Sequence, residues 1–214
     1  MRRIGAKIPA SDEVGNSIMK LILASSSSRR AEVLRDACFA FEICAPLCVD
    51  ERVLPGESAR DMVARLAEDK ARAAAKQLAG GGGNCVVVGA DTSIELDGEI
   101  FGKPRDAAHA REMLAALSGR THHVLTGIFL LRLPDGSARA AVETTFVTFA
   151  PLTRAEIDAY VASGEPMDKA GAYAIQGMAG RYISRIEGCY FNVVGLSLVR
   201  LHSLLRELGW PDEG

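Results

Sequence analysis

Hydrophobic and polar positions change period along the chain, and each change marks a predicted element. Short apolar runs at Leu21–Ala24 and Val86–Val88 are typical of buried strands, and Phe41–Val49 predicts another strand. The longest helical pattern extends from Ser58 to Leu78, with apolar residues every three or four positions. Three more helices are predicted: one capped by Asp106 that ends at Leu117, one opened by the capping box Thr153-x-x-Glu156, and a last one capped by Ser197. The remaining predicted strands are a hairpin over Ile94–Phe101 that turns at Asp97-Gly98, and strands at His122–Arg132, Ala138–Phe149 and Tyr182–Ile186. Strands and helices are thus interspersed, which predicts an α/β fold.

Two stretches without this periodicity suggest the domain organisation. Residues 1–18 are polar and contain Pro9 and Gly15, so we predict a flexible extension followed by a single α/β domain at residues 19–214. They lack the apolar segment of a secretory signal. Gly80–Gly83 is predicted to be a linker, because it precedes a strand and lacks the Gly-Lys-Ser/Thr ending of a phosphate loop.

Composition excludes several classes of protein. The net charge of −2 provides no bulk attraction to nucleic acid or to an anionic membrane. Charged residues interrupt every apolar run before it reaches the roughly 18 residues of a membrane-spanning helix. The five cysteines are odd in number and form no Cys-x-x-Cys pair, which favours reduced thiols in the cytoplasm over disulfides or structural zinc.

The segment between the first strand and its helix carries four serines, Ser25 to Ser28, followed by Arg29 and Arg30. Free N–H groups and the dipole at a helix start attract anions, whereas two arginines there oppose the dipole. A bound phosphate would remove that conflict and use the planar arginine head. A serine cap with two solvated arginines explains the pattern equally well, so both interpretations stay open.

Acidic residues follow two predicted strands. Asp91 and Thr92 come after Val86–Val88, and Asp50-Glu51 follows the second strand. Ligands of α/β sheets bind beyond the carboxyl ends of the strands, where a carboxylate can hold a divalent cation or accept a proton from water. For a single acid, capping of a turn is the simpler interpretation, so the chemical one depends on partners elsewhere.

Two lysines and one loop are candidate partners. Lys70 lies on or beside the apolar face of the long helix, where it either extends past the packing surface or directs its ammonium at an anion in a cleft. The hairpin can return Lys103 towards Asp91, although a solvated loop lysine fits as well. The aperiodic stretch Gly164–Gly177 mixes charged, amide and glycine residues, as binding loops do. Carboxylates with several cations suit metal-dependent phosphoanhydride chemistry.

The chain resembles the Maf family of nucleoside triphosphate pyrophosphatases over roughly Lys20 to Leu208. The resemblance rests on ordered motifs at Leu23–Arg30, Asp50-Glu51, Leu66–Ala71, Gly89–Thr92, Gly102–Pro104, Asp168–Gly177 and Asn192–Leu196. The Asp168–Gly177 motif is similar to that of the subgroup acting on dTTP and UTP. Ser28 and Ser197 depart from the family, which usually has proline at both positions.

The resemblance implies a mixed, twisted sheet flanked by helices, with a nucleotide-binding cleft between two lobes, as in ITPase-like proteins. It also implies residue roles and a divalent metal, Mg²⁺ or Mn²⁺. Asp91 would be the proton acceptor, Glu51 and Asp91 would hold the metal, Ser25, Arg30, Lys70 and Lys103 would bind phosphates, and Arg29, Thr92 and Gln176 would govern substrate choice.

The predicted reaction is hydrolysis of dTTP, UTP or modified pyrimidine nucleotides to the monophosphate and pyrophosphate. The predicted partner is this nucleotide, with no nucleic acid or membrane, and the sequence leaves a homodimer open. The alternative function is a nucleotide-binding regulator of septum formation, which would keep the pocket but need no general base.

Overall fold

A computed structural model describes residues 19–78 and 83–211 of the chain. The predicted extension at residues 1–18 and most of the Gly80–Gly83 linker lie outside the described residues. The strands are β1 (Lys20–Ala24), β2 (Phe41–Ile43), β3 (Cys85–Leu96), β4 (Glu99–Phe101), β5 (Thr121–Leu133), β6 (Ala138–Phe149) and β7 (Ile183–Glu187). The helices are α1 (Ser28–Asp36), α2 (Ala59–Gln77), α3 (Ala107–Leu117), α4 (Arg154–Ala162), α5 (Tyr190–Val194) and α6 (Leu198–Glu207), with 3₁₀ turns at Glu165–Asp168, Ala170–Ala172 and Met178–Tyr182.

The seven strands of the described ranges form one mixed sheet in the order β2-β1-β3-β5-β6-β7, with β4 paired to the far part of β3. The β2–β1 and β1–β3 pairs are parallel, and the other pairs are antiparallel. The predicted mixed α/β architecture is confirmed. Within the same ranges, none of the helices is long and apolar enough to cross a membrane.

Helix α2 lies directly on the backbone of the sheet. A methyl group at Gly89 of β3 would meet the Ala67 carbonyl oxygen at 2.0 Å, and one at Gly127 of β5 would meet the Val63 carbonyl oxygen at 2.1 Å. Because only glycine leaves room there, the helix axis approaches the two central strands more closely than side chains would allow. This close approach brings the middle of α2 next to Asp91.

The core is divided between two lobes. In the first lobe, α2 covers one face of the sheet around β1 and β3, while α1 and α6 cover the other face. In the second lobe, α3 and α4 pack against the far ends of β3, β5 and β6 around Phe149 and Tyr160, which are each 1% exposed. The long central strands pass from one lobe to the other, so a cleft forms between the lobes on their surface.

Two strands differ in length from the prediction. Strand β3 does not end at Val88 but continues to Leu96, because β5 pairs with it from Cys85 to Glu95 while its parallel neighbour β1 stops opposite Gly89. Asp91 and Thr92 therefore lie within a strand, just past the end of the parallel pairing. The second strand was predicted to reach Val49 and ends at Ile43, since β2 is an edge strand whose pairing with the short β1 ends there.

The predicted hairpin turn and capping box are confirmed. Asp97 and Gly98 both have positive φ, at 53° and 81°, as the predicted tight hairpin requires. The capping box of Thr153 and Glu156 is formed. Ser197 does precede α6, but its side chain makes no capping hydrogen bond, and its buried hydroxyl finds no partner within the described residues. Ser197 is thus the N-cap residue by position, as predicted, without a capping hydrogen bond from its side chain.

Candidate active site

A cleft of about 960 Å³ lies between the two lobes. Its walls include the β1–α1 turn, the start of the far part of β3, the loop after β4 and the segment Glu165–Gly177. Each residue predicted from the sequence to act on the substrate lines this cleft: Ser25, Arg29, Arg30, Glu51, Lys70, Asp91, Thr92, Lys103 and Gln176. The structure thus brings residues from both lobes and from most of the chain to one cavity.

Lys70 and two carboxylates form the centre of the cleft. The Lys70 Nζ lies 2.6 Å from Asp91 Oδ1 and 2.6 Å from Glu51 Oε1. Lys70 is 8% exposed and Asp91 is 9% exposed, so this ammonium points into the cleft rather than past the packing surface into solvent. One cation therefore holds an acid from strand β3 and an acid from the loop after β2 at the same point.

The same contacts govern the charge of Glu51. Burial acts to raise the pKa of its carboxyl, but the hydrogen bond and charge of Lys70, helped by Lys103 and Arg30, hold that pKa below its usual value. Glu51 is accordingly a carboxylate at neutral pH.

Lys103 is exposed at the cleft wall, and the Gly102 carbonyl before it accepts a hydrogen bond from the Gly171 amide at 3.0 Å.

The β1–α1 turn separates the two arginines by role. Arg30 is buried, and its Nε donates to the Gly195 carbonyl oxygen at 2.8 Å. Its terminal nitrogens donate to Ser25 Oγ at 3.2 Å and Thr92 Oγ1 at 3.0 Å. Among the described residues, Arg29 makes no such hydrogen bond and is only half-buried. Arg29 is therefore freer to engage a ligand, whereas Arg30 ties the turn to the strand and to the segment before α6.

Thr92 belongs to a buried chain of hydrogen bonds that determines the direction in which its hydroxyl donates. Its Oγ1 accepts from Arg30 and lies 2.9 Å from Thr126 Oγ1, which donates to the Asn192 carbonyl oxygen at 3.0 Å. Since the Thr126 proton is used in that bond, the Thr92 hydroxyl donates to Thr126. Thr92 can therefore act towards a ligand as an acceptor, not as a donor. The sequence pattern does not distinguish Thr126, and Asn192 stands out only as part of the motif Asn192–Leu196.

The loop predicted to bind substrate does line the cleft. Gln176 is exposed on this wall, and no hydrogen bond joins its side chain to Arg29 or Thr92 in the described structure. Asp168 lies at the same wall, where a hydrogen bond from Lys169 holds its pKa below the usual value and the charge of Arg29 adds to the effect. Arg29 and Asp168 thus line the same cleft with opposite charges.

The donor set suits a metal ion that arrives with phosphates. No cluster of three or more histidine, cysteine or acidic side chains that could hold a metal occurs within residues 19–78 and 83–211. Asp91 and Glu51, however, lie close enough together to share Lys70. Mg²⁺ is commonly bound by one or two carboxylates together with substrate phosphates and water. The two carboxylates fit that pattern.

Several enzymes of known name are similar to this chain over most of its length. A dTTP/UTP pyrophosphatase of Anaeromyxobacter sp. (strain Fw109-5) is 52% identical over 195 residues, covering 90% of this chain and 91% of its own. One of Symbiobacterium thermophilum is 48% identical, covering 91% and 96%, and one of Vibrio cholerae is 44% identical, covering 89% and 99%.

A solved nucleoside-triphosphatase / dITP/XTP pyrophosphatase of Mycobacterium abscessus is 20% identical and covers 63% of this chain and 76% of its own, at a TM-score of 0.35, too low to carry an argument. The family model described as Maf-like protein matches residues 20–208, which include every predicted site residue. The chain therefore belongs to the Maf family.

Proposed function

We propose that this protein is a nucleoside triphosphate pyrophosphatase that hydrolyses dTTP and UTP to the monophosphate and pyrophosphate. The observation that carries the proposal is the buried Asp91 carboxylate, held by Lys70 in a cleft with cations on both walls. The names of the relatives support the same substrates. A regulator without catalysis is not favoured, because relatives that are 52% and 50% identical to this chain are named as enzymes.

Asp91 is the proposed proton acceptor. A water molecule attacks the α–β phosphoanhydride, and Asp91 accepts its proton as the new P–O bond forms. Pyrophosphate then leaves with added negative charge, which Arg29, Lys70 and Lys103 stabilise from the walls of the cleft. Ser25 and Arg30 hold the β1–α1 turn in place at the start of α1, where the helix dipole favours a phosphate.

The proposed cofactor is a divalent cation, Mg²⁺ or Mn²⁺, held by Asp91 and Glu51. When bound, such an ion neutralises phosphate charge and polarises the water and the phosphate oxygens around it. Lys70 already forms ion pairs with both carboxylates in the protein alone, so part of their negative charge is compensated before any metal binds. The metal is therefore expected to bind together with the triphosphate rather than before it.

Gln176 is the proposed reader of the base. Its amide offers one acceptor and two donors, which match the N3–H and O4 edge of uracil and thymine. Cytosine presents a bare nitrogen and an amino group at the same places. Leaving one polar group unpaired once the bound base covers it costs about 1–3 kcal/mol, which corresponds to roughly fivefold discrimination or more.

Pyrophosphate release from a panel of dTTP, UTP, CTP, dCTP and purine triphosphates, with and without Mg²⁺, tests the proposal. We expect dTTP and UTP to be hydrolysed well ahead of CTP and dCTP, and chelation to stop turnover. Gln176→Ala should narrow the gap between UTP and CTP. Binding of the triphosphates without release of pyrophosphate would instead support the regulator. Cytoplasmic location, homodimer formation and the absence of nucleic-acid binding stay predictions.

A further inference from the structure

The side chain of Gln176 depends on its backbone for its direction. It is exposed in the cleft and makes no hydrogen bond to another described side chain. A free amide can turn over and exchange its donor and acceptor ends, which would cancel any preference between bases. The residues that hold the backbone around Gln176 therefore determine whether its amide can distinguish one base from another.

Two side chains hold this backbone at both ends of the segment 174–178. The Ala174 amide donates to the hydroxyl of Tyr160 at 3.2 Å. The Met178 amide donates to Glu165 Oε2 at 3.1 Å. The two side chains are themselves joined, because the Tyr160 hydroxyl donates to Glu165 Oε1 at 2.8 Å. Gln176 lies midway between these two anchors.

The carboxylate of Glu165 also lies against the backbone next to Gln176. A methyl group at Gly177 would meet Glu165 Oε1 at 2.2 Å and Oε2 at 2.5 Å. The absence of a side chain at Gly177 is therefore what lets the carboxylate reach the Met178 amide. In the described structure Glu165 is half-buried and directed at the loop rather than at a cation.

The anchor rests on a rigid part of the second lobe. Tyr160 is 1% exposed on α4, where its ring packs edge-on against Tyr182 with centroids 6.2 Å apart. Burial, together with the hydrogen bond to Glu165, raises the pKa of Tyr160, so its hydroxyl keeps the proton that it donates. The loop is thus tied to a helix whose own start is closed by a capping box.

We propose that Glu165 and Tyr160 are positioning residues that set the direction of Gln176 and thereby the choice of pyrimidine base. The inference rests on the proposed function of Gln176, since the hydrogen bonds of the pair go to the backbone on either side of it. It assigns a role in substrate choice to two side chains that act through the backbone of the loop.

The test compares three substitutions in the intact enzyme. Tyr160→Phe removes only the hydroxyl, and Glu165→Ala removes both acceptors. Each should reduce the ratio of kcat/KM for UTP to that for CTP by about fivefold or more, towards the value of Gln176→Ala. Glu165→Gln should retain part of the ratio, because its amide oxygen can still accept from Met178 while its nitrogen donates to the Tyr160 oxygen. Tyr182→Phe is the matched control, since it alters a neighbouring buried tyrosine that has no hydrogen bond to the loop.

A double-substitution cycle separates positioning from general damage. In a Gln176→Ala background, Glu165→Ala should change the UTP-to-CTP ratio no further. Equal effects with and without Gln176 would overturn the inference, as would a wild-type ratio in both Tyr160→Phe and Glu165→Ala.

Amide hydrogen exchange supplies a readout that does not depend on turnover. Exchange at Ala174 should accelerate in Tyr160→Phe, and exchange at Met178 should accelerate in Glu165→Ala. Unchanged exchange at both amides refutes the anchoring even in a protein that hydrolyses no nucleotide. Absence of turnover in the wild-type protein would overturn the proposed function instead, so the two failures are distinguishable.

Discussion

Replacement of Asp91 by asparagine tests the proposed chemistry most directly. The amide has the shape of the carboxylate, and its oxygen can still accept the hydrogen bond that Lys70 donates at 2.6 Å. It cannot accept a proton from water. Lys70 also keeps Glu51 as a charged partner at 2.6 Å, so the ammonium is not left without compensation. The substitution therefore changes the chemistry much more than the packing.

The expected magnitudes differ enough to be separated. Exchanging a charged acceptor for a neutral one should lower the free energy of unfolding by about 1–2 kcal/mol. Loss of a positioned general base should lower kcat by about 10²–10⁴-fold, or about 2.7–5.4 kcal/mol in the barrier. The loss of activity should thus greatly exceed the loss of stability.

The assay is pyrophosphate release from dTTP at saturating substrate, with urea unfolding of the same preparations. Raising the Mg²⁺ concentration should not restore Asp91→Asn if the carboxylate is the base, whereas it should if Asp91 only holds the metal. Glu95→Gln is the matched control, because Glu95 lies four residues further along the same strand, contacts His123 at 3.7 Å and does not line the cleft. Wild-type kcat in a folded Asp91→Asn protein would refute the assignment.

Three further predictions concern the site and the fold. Lys70→Met should lower kcat/KM for dTTP by about 100-fold or more while the protein stays folded, and unchanged kinetics beside a shifted melting temperature would mean that the lysine only packs. Burial lowers the pKa of His122 to about 4 from its ordinary 6.5, so its contribution to the free energy of unfolding should be fully present above pH 6.5 and fall by about 3 kcal/mol in total as the pH drops towards 4. Urea unfolding across this range should show the stability difference between wild type and His122→Gln shrinking as the pH falls, and parallel curves of stability against pH would contradict the prediction. Gly127→Ala should destabilise the protein by about 3 kcal/mol because its methyl would lie 2.1 Å from a carbonyl of α2, whereas Gly102→Ala, with nothing within 4 Å, should have little effect on chemical unfolding.

Elements with local signals were predictable almost to the residue. The apolar face of α2, the Asp97-Gly98 turn and the Thr153 capping box each depend on residues a few positions apart, and each is formed. Ser197 had the same kind of signal and is the N-cap residue of α6, but its hydroxyl is buried and makes no capping hydrogen bond.

The extents of the strands depended on pairing partners elsewhere in the chain. Val86–Val88 is enough to predict that a strand exists, but its continuation through Asp91 to Leu96 needs β5, which begins at Thr121. The apolar pattern at Phe41–Val49 is equally strand-like, yet pairing stops at Ile43 where β1 runs out. A hydrogen-bonding partner, not local propensity, sets where each strand ends.

The candidate site divides in the same way. Its residue types were readable because acids, lysines and arginines are costly in or beside a core and stand out from the apolar pattern. Their grouping was not, because the contacts join distant positions: Arg30 bonds Gly195 at a separation of 165 positions, and Lys70 holds Asp91 and Glu51 together only because α2 lies against Gly89. Tyr160 carried no sequence signal for a role in the loop, since a tyrosine on an apolar helix face is ordinary. Glu165 lay within the predicted loop, but nothing in the sequence distinguished it from the other residues there. Local chemistry can therefore name the candidate groups, whereas the close packing of helix on sheet decides which of them meet.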